Sequence, residues 1–294
     1  MVDSSSISRK IFVFFNALFL TILSLTCLLP FIYLLAISFS SRDAAATGQV
    51  ILWPVEFTAK SYEYMLQKHE FIRSILISIE RVFLGTIVNM LFTILTAYPL
   101  SKERNALRIR TIYVWFFVFT MLFSGGLIPT YMIVRGVGLL DTIWALVLPG
   151  ALPVFNAILL LNFLRNLPKE LEESAFIDGA SHWVIMAKIS IPLSLPALAT
   201  IFLFTIVGHW NSWFDGMIFM QRQSNYPLST YLQSIIIMPK STLLAKWSVK
   251  SLELISDRTI KAAQIFIGTL PILAIYPFLQ RYFMAGLVLG SVKE

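Results

Sequence analysis

The sequence predicts an all-α integral membrane protein with six transmembrane helices and both ends on one side of the bilayer. Three observations carry that expectation. Of 294 residues, 57% are hydrophobic and only 13% charged, whereas soluble domains run at about 25% charged. A soluble fold must cover its outside with polar groups and has nowhere to hide so much apolar surface; lipid can take it. The apolar residues gather into long runs, near the ~20 residues a helix needs to cross about 30 Å of hydrocarbon. Finally, Lys and Arg collect mainly between those runs.

The first run, 11–39, follows Arg9 and Lys10 and is interrupted only by mildly polar residues and Pro30. It is too long for the core of a secretory signal, about 7–15 residues, so the small residues Ala44 to Ala46 are not read as a cleavage site. The second run, 74–99, contains Glu80, Arg81 and Asn89 and is the least lipid-like. The third covers 111–133 and the fourth 142–163; the fifth, 193–210, follows an amphipathic approach before Pro192, and the last is 262–279. Ionised side chains inside a membrane face protein or water. Glu80 and Arg81 lie near the outer end of their run, so snorkelling or pairing at the interface is expected, with a place beside a polar pathway as the other reading. Trp53, Trp115, Trp144, Trp210, Trp213 and Trp247 fall near run ends or in outer loops, which suits interfacial anchoring. Cys27 stands alone in an apolar run, which excludes an intrachain disulfide and a thiolate metal site.

Basic residues in short loops set orientation. Arg9 and Lys10 at the N-terminus, and Lys102, Arg104, Arg108 and Arg110 after the second run, face Arg135 alone on the other side. The N-terminus is therefore expected in the cytoplasm. The organisation is a cytoplasmic segment 1–10, one transmembrane domain over 11–290 with an inner loop at 164–192, and a cytoplasmic tail from 281 to 294. The formal charge of +7 reflects this topology rather than nucleic-acid binding, because no basic helix interleaved with aromatics accompanies it.

One segment has specific chemistry. After Pro168, suited to a helix start, Glu170, Glu172 and Glu173 lie where the helix dipole favours negative charge. Leu171, Ser174, Ala175 and Asp178 recur at helical spacing and form a narrow face that a partner can approach closely. Gly179 lets the chain turn, and a second short helix runs from about Ser181 to Ile189 and ends near Pro192. A connector that merely reverses the chain would not need small residues concentrated beside three glutamates; docking of a cytoplasmic partner is the sharper reading.

This segment resembles the EAA loop of the membrane subunits of ATP-binding cassette importers: Glu173, Ser174 and Ala175, Gly179 six positions after the glutamate, Ile189 ten later and Pro192 three later. Ser174 departs from the family's usual alanine and Ile191 from its leucine. Pro168, Glu170, Leu171 and Ile177-Asp178-Gly179-Ala180 are similar to the carbohydrate-uptake branch. Ser124-Gly125-Gly126-Leu127-Ile128-Pro129-Thr130 resembles the subgroup for larger saccharides, and Trp210-Asn211, Tyr226-Pro227-Leu228 and the tail from Gln280 to Lys293 also look like sugar permeases. Glu294 stands where the family often ends in glycine. Within the subgroup the chain is most similar to the second membrane subunit of alginate importers.

The resemblance implies a type I importer fold in a bacterial cytoplasmic membrane, and a permease subunit forming half of a pathway for ATP-driven import of an oligo- or polysaccharide. It implies Glu173, Ser174, Ala175, Asp178, Gly179, Ile189 and Pro192 as the residues that couple to an ATPase. Its implied partners are a homologous second permease, two copies of a cytoplasmic ATPase, an extracytoplasmic solute-binding protein touching segments near 41–70 and 211–261, the saccharide and membrane lipid. No P-loop motif occurs, so ATP and Mg2+ belong to the ATPase subunits and this chain is expected to bind no cofactor and to catalyse no reaction. Asn89, Asn156, Trp210, Asn211 and Trp213 are candidate pathway residues, since sugars want hydrogen bonds and aromatic faces; bridging between helices and interfacial anchoring are their plainer roles. His209 reads as an ordinary interfacial residue, and Arg81, Arg222 and Arg258 are the basic groups an acidic saccharide could meet. A secondary transporter would explain the spans but not the loop. A membrane-embedded enzyme would need clustered acids or histidines at one membrane face.

Overall fold

The computed structural model describes residues 7–103, 107–237 and 256–291. Trp247, Arg104 and the tail beyond Ser291, with Glu294, lie outside the described residues. Among the described residues all regular structure is helical. The chain divides into two compact units, Met1–His69 with Ile235–Leu270, and Glu70–Ser234 with Pro271–Glu294.

In the first unit, α1 (Ile7–Ser38) is 32 residues of almost unbroken apolar sequence. Thr21, Ser24 and Thr26 each donate their hydroxyl to the carbonyl four residues earlier at 2.8–2.9 Å, so these three side chains are satisfied without water. Only its last turn, Ala36 to Ser38, is buried. The turn packs on α2 (Arg42–Thr47), which Ser41 caps from its side chain and Gly48 ends at φ +77°. The start of α15 (Asp257–Ser291) completes this core through Ala262. It is also tied to α3 (Lys60–Leu66), where the Ser61 hydroxyl donates to Thr259 Oγ1 at 3.0 Å. Arg258 donates to the Tyr33 hydroxyl at 2.7 Å and the Ala45 carbonyl at 3.2 Å, so this candidate partner for an acidic saccharide is already bonded within the unit.

The second unit is built on α4 (His69–Ser101), 33 residues long and about 50 Å at the usual helical rise. Ala97 and Leu100 of α4 pack with Leu160 and Leu161 of α8 (Val154–Arg165) and with Ala197, Leu198 and Ile201 of α12 (Leu195–Asn211). Small residues let these helices approach closely, which matters where lipid removes the hydrophobic drive between helices. A second cluster joins Val134 of α6 (Leu127–Gly136), Ala145 and Leu146 of α7 (Trp144–Val147), and Phe219 at the end of α13 (Phe214–Phe219). The start of α14 (Leu228–Ile237) is held on α4, the Leu228 amide donating to Ser78 Oγ at 2.7 Å.

Among the described residues three helices are long and apolar enough to cross a membrane, or five if each sharply bent pair counts as one crossing. The run 111–133, expected as one helix, is instead α5 (Arg110–Leu122) and α6 meeting at 111°. Gly126 at φ +88° opens the bend, and Pro129 in the first turn of α6 suits a new helix start. The run 142–163 is likewise interrupted: Pro149, Gly150 and Pro153 separate α7 from α8. With 12 residues, α8 covers about 18 Å of the roughly 30 Å of hydrocarbon. The fifth run starts later than its composition suggests. The chain passes through Pro192 to Leu193 and bends by 80° at Ser194 before α12 begins. Trp53 and Trp115 are well exposed as interfacial anchors would be, whereas Trp210 is buried at 7% exposure.

Candidate functional site

The buried face of α4 is polar and small: Ser74, Ser78, Arg81, Gly85, Asn89, Thr93 and Ala97 recur at intervals of three or four residues and share one side. Against its middle lies the end of α12. Gly85 has no side chain, so the His209 ring rests directly on it; a Cβ there would stand 2.4 Å from Nε2. His209 Nε2 donates to Asn89 Oδ1 at 2.6 Å, and Asn89 Nδ2 donates to the Gly150 carbonyl at 2.7 Å. One asparagine thereby ties α4, the α7–α8 bend and α12 together.

One turn nearer the N-terminus of α4, Arg81 is 2% exposed and forks onto Asp215 at the start of α13. It also donates to the Ser212 carbonyl at 3.1 Å, and Asp215 accepts from Ser212 Oγ and from the Gly216 amide, both at 2.9 Å. A lone buried guanidinium would cost several kcal/mol, and the carboxylate with its own amide and hydroxyl donors offsets that. Arg81 is therefore paired inside the protein, where the sequence alone first predicts snorkelling or pairing at the membrane interface.

These groups line one cavity of about 420 Å³, with Asn89, His209, Arg81, Asp215, Asn156 and Thr205 supplying its polar wall. Asn156 Nδ2 reaches Thr205 Oγ1 at 3.4 Å. The structure thus brings together Asn89 and Asn156 of the candidate pathway residues, and adds His209 and Asp215, which sequence reasoning does not place there. Trp210, Asn211 and Trp213 are not among the lining residues. The carbonyls of Trp210 and Trp213 accept from Ser229 and Thr230 hydroxyls and hold the elbow between α12 and α13. Arg222 lies elsewhere, bonded through Nε to Asp141 at 2.5 Å. Burial pushes the Asp141 carboxyl up, but hydrogen bonds from Arg222, Asn225 and the amide of Gln221 hold it below its ordinary value.

The acidic loop forms a second candidate site. Pro168 precedes α9 (Lys169–Ile177), whose first turn carries Glu170 and Glu172. Its end is a Schellman turn: the Ala180 amide donates to the Ala175 carbonyl at 2.9 Å and the Gly179 amide to Phe176 at 3.0 Å, with Gly179 at φ +80°. A short helix α10 (His182–Ile185), a wider helical turn over Met186–Ser190 and α11 (Ile191–Leu193) lead to the bend before α12. Glu173, Ser174, Asp178, Gly179 and Pro192 are exposed, Ala175 is buried and Ile189 half-buried. Beside the acids stand two apolar groups that residue spacing does not single out, Ile177 at 86% and Trp183 at 66% exposure. Glu173 and Ile189 border a cleft of about 540 Å³ between this loop and the end of α4. Two ion pairs cross it, Lys102 to Glu172 at 2.6 Å and Lys169 to Glu103. The Lys169 ammonium holds the Glu103 carboxyl below the usual carboxylate range, and Glu103 in turn raises Lys169.

No protein-family model matches the sequence. Protein LplC of Bacillus subtilis is 40% identical to it, over 97% of this chain and 95% of that protein. The polygalacturonan/rhamnogalacturonan transport system permease protein YtcP of the same species is 41% identical, over 94% of this chain and 96% of the relative. A chain in the crystal structure of a bacterial ABC transporter involved in the import of the acidic polysaccharide alginate aligns with a TM-score of 0.85 and 33% identity, over 96% of this chain and 100% of that one.

Proposed function

Because the chain belongs to the permease family of ATP-binding cassette sugar importers, we propose that it forms half of a pathway through which an oligo- or polysaccharide enters the bacterial cytoplasm. It is an integral membrane protein. The bundle crosses six times with both ends inside; the residues before α8 complete the crossing that this helix is too short to make alone. A homologous permease supplies the other half. Two ATPase subunits bind ATP and Mg2+, and a solute-binding protein delivers the saccharide from outside.

The observation that carries this reading is the acidic helix α9, ended by a glycine turn and presenting Glu173, Ser174 and Asp178 to solvent, at the end of α4 away from the polar cavity. Glu173, Ser174, Asp178 and Gly179 meet the ATPase, with Ile177 and Trp183 as apolar anchors beside them. Ala175 packs the helix down, while Ile189 and Pro192 shape the return to α12. Closure of the ATPases on ATP pushes this loop and rocks the helices; the chain transmits force and breaks no covalent bond.

In the cavity, sugar hydroxyls exchange hydrogen bonds with Asn89, Asn156, Thr205 and His209. Arg81 is neutralised by Asp215, so this half contributes hydrogen bonds rather than countercharge. The names of YtcP and of the alginate importer point to an acidic polysaccharide fragment as the cargo. Co-purification tests the docking: the chain should bring down a separate ATPase, and Glu173→Lys should lose it while still reaching the membrane. A Glu173→Lys protein that retains its ATPase in full would contradict the reading.

A further inference from the structure

The inner end of α4 is a junction. The Leu100 carbonyl accepts from Arg165 of α8 at 3.3 Å, and the Lys102 carbonyl accepts from Arg110 of α5 at 2.8 Å. The Lys102 side chain points to the loop, its ammonium 4.1 Å above the Tyr98 ring and 2.6 Å from Glu172 of α9. Tyr98 meets His182 edge-on at 6.5 Å, and His182 meets Phe176 at 5.0 Å. Both short helices of the loop therefore bear on this end of α4, whose middle carries Arg81 and Asn89 at the cavity.

The two ion pairs across the cleft are not equivalent. Lys169 and Glu103 are 69% and 63% exposed, and pairs so exposed in water contribute little. Lys102 is 13% exposed and Glu172 29%. A cation so far removed from water holds its partner firmly, because losing that partner leaves an uncompensated charge.

We propose that Lys102 and Glu172 form the strut that converts movement of the docking loop into movement of α4 and so of the cavity wall. Both are positioning residues; neither meets the cargo. This rests on the proposed docking of an ATPase to the same loop, and predicts that the strut can be broken without loosening the ATPase. The exposed pair serves as the internal control, since it joins the same two segments.

A reporter independent of the cargo tests this. Gly208 lines the cavity and has open space where a Cβ would stand, so Gly208→Cys places a thiol there in a background with Cys27→Ser. Its reaction with a membrane-impermeant maleimide is measured in the reconstituted complex, nucleotide-free and trapped with ATP and vanadate. Lys102→Glu and Glu172→Lys should each shrink the nucleotide-dependent change in rate by at least about fivefold, the lower end of ordinary coupling factors. ATP hydrolysis and the bound ATPase should persist. The exchanged pair, Lys102→Glu with Glu172→Lys, should restore the response, and Lys169→Gln should leave it intact. Should a charge reversal fail to assemble, Glu172→Gln keeps the shape and must still weaken the response. A full response in the single variants, or an exchanged pair that binds ATPase yet stays unresponsive, overturns the strut. Loss of the ATPase itself on breaking the strut would show that Glu172 is a docking contact and overturn it too. An unaltered chain that binds no ATPase would remove the reading beneath.

Discussion

Replacing Gly85 with alanine asks whether α4 and α12 meet as closely as the structure has them. In an unhindered helix interior the exchange stabilises by about 0.5–1 kcal/mol, because glycine loses more freedom on folding. Here the new methyl would lie 2.4, 2.6 and 2.7 Å from three atoms of the His209 ring. The ring cannot turn aside freely, since Nε2 is bonded to Asn89 at 2.6 Å. Overpacking costs about 1–3 kcal/mol and the lost hydrogen bond about 0.5–1.5 kcal/mol more, so after the glycine gain the net change is a destabilisation of about 0.5–4 kcal/mol. The sign alone is diagnostic. Thermal unfolding in detergent should show a lower midpoint for Gly85→Ala, whereas in a His209→Ala background, where the obstructing ring and its hydrogen bond are already gone, the same exchange should no longer lower it. A raised midpoint in the single variant, or an equal drop in both backgrounds, would refute the contact.

The Schellman turn predicts graded damage at Gly179, where φ is +80° and the cost is backbone strain of about 1–2 kcal/mol rather than collision, as no atom lies within 4 Å of where a methyl would stand. Gly179→Asn should retain most ATP-driven uptake and Gly179→Val should lose it, at equal amounts of protein in the membrane; equal activity of the two would argue against a required turn geometry. Asp141 predicts a pH dependence. Its depressed carboxyl stabilises the folded protein above the unfolded pKa, and that contribution is lost as pH falls through the lower folded value. The gap in thermal midpoint between the native chain and Asp141→Asn should hold near neutrality, begin to shrink as pH falls through the ordinary aspartate range and close below it; a gap that stays unchanged below that range would contradict the pairing with Arg222.

Run length makes the helical class and the courses of α1 and α4 legible, because a stretch of apolar residues has few other uses. It is blind to the breaks. Gly125, Gly126, Pro149 and Pro153 are all in view, yet membrane helices accommodate glycine and proline wherever neighbours satisfy the backbone, so no local rule separates a tolerated proline from a broken span. The acidic loop reads well because its signals are local: a proline before α9, acids in the first turn, a glycine at the end. The cavity needs partners distant in sequence. Arg81 and Asp215 are 134 residues apart, and nothing in either neighbourhood names the other. His209 reads as interfacial from its place at a run end, whereas the spacing of Arg81, Gly85 and Asn89 on α4 holds a signal that run length ignores. A polar face with a glycine at its centre, in a helix meant for lipid, marks where another helix must bring polar groups.

The central claim is that this chain is half of an ATP-driven importer, and uptake into proteoliposomes tests it most directly. The chain, its partner permease and the ATPase are reconstituted together, with the solute-binding protein and labelled oligogalacturonate or oligoalginate outside and ATP sealed within. Accumulation that requires ATP, the ATPase and the binding protein, and that vanishes with Glu173→Lys, is the predicted result. Uptake by this chain alone, driven by an ion gradient and indifferent to ATP, would contradict it.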